Sequence, residues 1–161
     1  MSRTRGVVFV HACVRAVCPH VEWAFSAELG RDVRLDWVPQ PVHPGTVRAE
    51  YSWTGPAGTA ARLASALRAF PDLRFEVTED ASEGHEAERF SATPELGIYR
   101  AATGPYGDVM IHEDRIRAAL ASGGDLRAEL EKLLGADWDR ALEPYRMAGG
   151  HMSHARLHNA I

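Results

Sequence analysis

The sequence predicts an α+β fold in a single domain. Three observations carry this expectation. Four segments of the first half have strand patterning, two helical segments fall between them, and the second half gives short strand-like runs followed by helices.

Residues 6 to 11, GVVFVH, are apolar at successive positions, as in a central strand covered on both sides. From Pro19 the apolar residues Val21, Ala24, Phe25 and Leu29 recur at helical spacing, with proline placed for a first turn and Gly30 for a stop. DVRLDWV then alternates, Val33, Leu35 and Trp37 against Asp32, Arg34 and Asp36, and TVRAEYSW alternates through Val47, Ala49, Tyr51 and Trp53. The intervening PQPVHPG cannot pair regularly, so the two segments predict a hairpin with a long tip. GPAGTAARLASALRAFP places Ala60, Leu63, Ala66, Leu67 and Phe70 on one helical stripe, and LRFEVTE returns to alternation through Leu73, Phe75 and Val77.

Strand, helix, strand, strand, helix, strand is the split βαβ plan, whose right-handed crossovers put both helices on one face of an antiparallel sheet. The expected fold is therefore a ferredoxin-like βαββαβ core over residues 5–80, an elaboration over 88–148 and a tail over 149–161, all within one domain, 1–161. On the face away from the helices, Arg34 and Asp36, Arg48 and Glu50, and Arg74 and Glu76 predict a charged ladder interrupted by Val8 or Val10, either wet or a polar contact surface. RFSAT, LGIYRAAT and DVMIHE predict a small meander. EDRIRAALA, DLRAELEKLL and DWDRALEPYR predict helices, with Asp125 and Asp137 as N-caps and Leu126, Leu130, Leu133 and Leu134 as the clearest stripe. Trp23 lies off the apolar stripe of its helix and is expected to pack against the C-terminal elaboration.

Composition bounds the function. With 161 residues, 45% hydrophobic and 25% charged, the chain can bury a core without staples. A net charge of −4 argues against a general attraction to nucleic acid or to an anionic membrane. The apolar run after MSRTRG is too short for a spanning helix or a signal peptide, so a cytoplasmic location without membrane insertion is expected. Two cysteines in such a compartment are expected to be reduced.

The segments RGVVFVH, CPHVEW, VRLDWVPQP, GPAGTAARLASALR, LRFEVTE, ERFSATPELGIYRAATGPYGD and LEPYRMAG resemble an actinobacterial family known as domain of unknown function 3145, DUF3145, from about the N-terminus to the Gly149 region. The resemblance implies no activity, no cofactor and no role for any residue. It points only to fatty-acid synthesis as a setting.

His11, Cys13, Cys18 and His20 lie where the first strand hands over to the first helix. Their types suit zinc, although H-x-C-x4-C-x-H lacks the short Cys-x-x-Cys knuckle of familiar structural sites. Alternatively, Cys18 at a helix N-cap beside His20 could carry a lowered thiol pKa and act as a nucleophile. The plainer reading is that both cysteines are small buried hydrophobes and both histidines are satisfied by backbone. His151, His154 and His158 would share a face if the tail were helical. The GPAGTAAR turn offers N–H groups to an anion but lacks the lysine of a phosphate loop, and Asp108, His112, Glu113 and Asp114 fit helix capping better than a site.

No constellation outweighs its plain reading, so the expected function is a non-catalytic binding or adaptor protein with a protein or metabolite partner and no cofactor. Its contact surface is expected to use Trp23, Arg34, Arg48 and Arg74. The alternatives are a metal-binding or thiol-dependent enzyme using His11, Cys13, Cys18 and His20, and a small-molecule sensor in which two ferredoxin-like sheets form a homodimer around a ligand.

Overall fold

The computed structural model describes residues 2–149. The chain runs β1 (Arg3–Val14), a 3-10 turn (Arg15–Val17), α1 (Cys18–Leu29), β2 (Val38–Pro39), β3 (Thr46–Pro56), α2 (Thr59–Leu67), β4 (Arg74–Glu79), β5 (Ala87–Thr93), β6 (Gly97–Thr103), β7 (Val109–Met110), α3 (Glu113–Ala121), α4 (Leu126–Leu134) and α5 (Ala136–Ala148). One open sheet has the order β2-β3-β1-β4-β5-β6-β7, and every neighbouring pair is antiparallel. The mixed α+β content is as expected. The expected meander forms as β5-β6-β7, and the pairing of β4 with β5 makes it an extension of the main sheet.

Alternation decides which side chains meet which helices. Val8 and Val10 of β1, Val47, Ala49 and Trp53 of β3, Phe75 and Val77 of β4, and Phe90 and Ala92 of β5 share one core cluster with Val21 and Phe25 of α1 and Leu63 and Leu67 of α2. Both helices therefore pack on the same face, and they touch each other. Gly6, on the central strand, permits the close approach of β4: a Cβ there would collide with the Thr78 carbonyl and lie 2.7 Å from the Trp53 ring.

The expected strand over 32–38 is largely not one, because only Val38 and Pro39 pair with β3. Its backbone donors are taken by α1 instead. Val33 N–H donates to Ser26 Oγ and Leu35 N–H to Glu22 Oε1, each at 2.9 Å, and the Trp37 indole N–H also donates to Glu22 Oε1. Side chains that an alternating strand would bury, Val33 and Leu35, are still buried in the core, so the hydrophobic pattern was satisfied by a helix-tethered coil.

The second face is covered by a helix over its centre, while Glu50, Ser52 and Thr54 of β3 stay exposed at its side. α5 packs on it against β1 and β5, burying Leu142 and Arg146, one turn apart, as its two fully inward residues. On β1 this face carries Val7 and Phe9, not Val8 or Val10, and Glu76 beneath α5 is 0% exposed. At the junction before α5, Gly135 caps both α4 and α5 in the left-handed region, φ 68°. A Cβ there would collide with the Tyr99 ring, whose hydroxyl donates to Leu133 O at 2.5 Å while the ring stacks 5.3 Å from Trp138. Asp125 caps α4 as expected, whereas Asp137 lies in the first turn of α5 and the cap is Gly135.

Candidate functional site

The densest polar arrangement lies between the sheet and α5. Glu76 stands opposite Phe9 on β1 and Ser91 on β5, so its carboxylate faces α5. Its Oε1 accepts from Arg146 Nε at 2.7 Å and lies 3.0 Å from His11 Nε2; its Oε2 accepts from Arg146 Nη2 and Ser91 Oγ, each at 2.8 Å. Facing an ionised carboxylate, His11 must hold its proton on Nε2 and donate. Arg146 also donates from Nη1 to Asp139 and Glu143 of its own helix, at 3.0 and 3.3 Å.

Burial pushes the Glu76 carboxyl up, but the Arg146 guanidinium and the hydrogen bonds from His11 and Arg146 outweigh it and hold the group well below the usual carboxylate range. Arg89 lies nearby, 2% exposed, with Nε 3.8 Å from Glu76 Oε2, no hydrogen-bond partner for that Nε among the described residues, and a long 3.5 Å contact from Nη1 to the Gly107 carbonyl. Burial pushes the Arg89 guanidinium pKa down.

Chemically, the cluster clamps. Both Glu76 oxygens are occupied and no part of the residue reaches solvent, so it can neither meet a substrate nor act as a base near neutral pH. A buried ion pair contributes fold stability only when the geometry compensates the loss of hydration, and the bidentate Arg–carboxylate contact here has that geometry.

The soft residues at the end of β1 are divided. A register shift between Val10 and Cys13 turns Cys13 into the core with Val10, while His11 points to the other face and Glu76. Cys18 opens α1, with Val17 as N-cap, and its Sγ lies 3.8 Å from Cys13 Sγ; both thiols are free. His20 is exposed on the first turn of α1. The structure thus brings the two cysteines together and leaves the two histidines apart from them. Among the described residues no group of three or more His, Cys, Asp or Glu side chains is placed to hold a metal ion.

The lowered Cys18 pKa that the nucleophile alternative requires is reversed. Burial pushes the Cys18 thiol up, outweighing its contact with Cys13, and burial followed by the influence of Cys18 pushes Cys13 up to about 12. Beside the pair opens an apolar cleft of about 80 Å³, lined by Cys13, Val14, Val17 and the 70–73 segment.

The N–H groups that the GPAGTAAR turn offers are taken by the protein's own carboxylate, in line with a structural turn. Glu79, 2% exposed, accepts from Gly58 N–H at 2.7 Å and Ala60 N–H at 2.8 Å, filling the start of α2. His112 is the N-cap of α3, Glu113 and Asp114 sit in its first turn, and His112 Nε2 lies 3.1 Å from Glu86. His151, His154 and His158 lie outside the described residues.

Of the residues expected to form one contact surface, Arg48 and Arg74 both lie beside Tyr145 of α5, whereas Trp23 and Arg34 lie elsewhere. Trp23 does not pack against the C-terminal elaboration: it is 76% exposed on α1. Arg34 lies in the tethered coil, 3.6 Å from Glu22 and 3.7 Å from Asp32. Arg48 faces the α5 side of the sheet with a buried Nε that has no hydrogen-bond partner among the described residues, and Arg74 makes a bidentate contact with Glu95 and sits 5.2 Å above the Tyr145 ring.

Sequence reasoning missed Glu76, Arg89, Ser91 and Arg146 as one unit. The available signal was that RGVVFVH, LRFEVTE, ERFSAT and LEPYR, which hold His11 and these four residues, are all among the segments that carry the family likeness. Fold and cluster define an α+β protein whose two-sided sheet is locked by a buried ion cluster. The chain belongs to the family described as a protein of unknown function, DUF3145, whose model matches residues 7–159. No curated protein and no solved structure matches the chain. No helix among the described residues is long and apolar enough to cross a membrane.

Proposed function

We propose that the chain is a non-catalytic binding or adaptor protein of the cytoplasm, built on a ferredoxin-like core, that contacts a partner through the outer side of its helical elaboration. The order β2-β3-β1-β4, the antiparallel neighbours and the shared face of α1 and α2 support the ferredoxin-like reading.

One observation carries the binding reading. α4 keeps none of its residues buried and α3 only Ala119, although both are amphipathic. Ile116 and Leu120 of α3, Leu126 and Leu134 of α4, and the neighbouring Met110 of β7 are between 36% and 62% exposed. Apolar side chains gathered on two adjacent helices mark a contact surface more often than scattered ones do. A setting in fatty-acid synthesis rests on the family likeness alone.

The test compares native-lysate capture by the wild-type chain with capture by Leu120→Glu/Leu134→Glu. A specific partner held by the first and lost by the second, with thermal stability unchanged, supports the reading. Equal capture by both, or no specific partner for either, contradicts it.

A further inference from the structure

We propose that Cys13 and Cys18 form an oxidation site that closes to an intramolecular disulfide when the protein meets a peroxide. The two Sγ atoms are already 3.8 Å apart, with the Cys18 thiol directed at Cys13, so bonding requires an approach of about 1.7 Å to reach the usual S–S length. That movement is available where it is needed. The register shift before Cys13 breaks the regular pairing of β1, and the 3-10 turn Arg15–Val17 between the two cysteines buries none of its residues. The cleft lined by Cys13, Val14 and Val17 adjoins the pair on the side of the 70–73 segment.

The order of events follows from the surroundings. Cys18 is the more exposed thiol, 7% against 2% for Cys13, so a peroxide reaches it first; burial and Glu22 hold its pKa up while the Cys13 contact and the Arg15 charge favour its anion, and attack proceeds from the small thiolate fraction. The Cys18 thiolate attacks one peroxide oxygen, the O–O bond breaks, and a sulfenic acid forms as hydroxide leaves. Cys13 then attacks the Cys18 sulfur; the S–O bond breaks, the S–S bond forms, and the departing oxygen leaves as water with the Cys13 proton. Over both steps two thiols are oxidised and one peroxide is reduced to two waters. The product ties the end of β1 to the first residue of α1.

The sequence supplies a direct readout. Trypsin cleaves after Arg5, Arg15 and Arg31, which puts Cys13 in peptide 6–15 and Cys18 in peptide 16–31. After hydrogen peroxide treatment of the folded full chain and a non-reducing digest, the two peptides are expected as one linked species, separated by dithiothreitol, with no disulfide-linked dimer of the intact chain on a non-reducing gel. Cys13→Ser should leave Cys18 as a sulfenic acid trapped by dimedone, and Cys18→Ser should leave Cys13 reduced. Unlinked peptides carrying reduced thiols or sulfinic acids, or links only between two copies of the chain, would overturn the proposal. The wild-type digest decides this even if either variant folds poorly.

Discussion

Arg146, on the last described helix, brings Nε and Nη2 to within 2.7 and 2.8 Å of the two carboxylate oxygens of Glu76, a residue 70 positions earlier on the fourth strand. Both side chains are 0% exposed. The contact joins the two parts of the chain: α5 can lie on the sheet only with this cation inward, and Glu76 can be buried ionised only with α5 in place.

Acid should undo this junction. The folded-state pKa of Glu76 lies below its unfolded value, so its contribution is fully present above the unfolded pKa of about 4.3 and is lost as pH falls toward the folded value. Urea midpoints measured from pH 7 down to pH 3 are expected to decline below about pH 5, more steeply in the wild-type protein than in Glu76→Gln. Parallel profiles would show that other carboxylates set the acid limit.

At the other end of the scale Cys13 gives the opposite sign. Its thiol is raised from 9.0 to about 12 on folding, so it contributes stability below pH 9 that is lost as pH rises toward 12. The folded protein should lose stability over that interval and Cys13→Ala should lose less. Iodoacetamide should label Cys13 in native protein far more slowly than in urea at pH 8, and equal rates would contradict its burial.

Glu79 stands in for an external anion at the start of α2. Removing it with Glu79→Ala leaves Gly58 and Ala60 N–H without their acceptor and is expected to cost about 1–2 kcal/mol, as for loss of a helix cap. Amide exchange at Gly58 and Ala60 should accelerate, while exchange in α1 stays close to the wild-type rate. Unchanged protection at both amides would show that the carboxylate is dispensable.

The legible part of the fold is the part set by local period. Alternation and helical spacing place Phe75, Val77, Leu63 and Leu67 on the helix-covered face, and the structure buries them there. Residues 32–37 show the limit of that reasoning. Their alternation was real, but a coil whose N–H groups are held by Ser26 and Glu22 buries Val33 and Leu35 as well as a strand would. The ion cluster was hidden for a different reason. Charged residues alternating with apolar ones predict solvent on the charged side, and only a long-range partner, Arg146 of α5, reverses that expectation for Glu76. At the end of β1, spacing alone would set His11 and Cys13 on one face, and the register shift that separates them has no signature in the residues.

A double-mutant cycle between Glu76→Gln and Arg146→Met tests the central claim most directly, with unfolding free energies taken from urea titrations at pH 7. Each single change is expected to cost about 3–5 kcal/mol because it leaves a buried partner uncompensated. The double mutant should fall short of their sum by about 2 kcal/mol or more, the coupling expected of residues in one network. Additivity within about 0.5 kcal/mol would mean that Glu76 and Arg146 do not share a buried contact, and that α5 is not locked to the sheet as described.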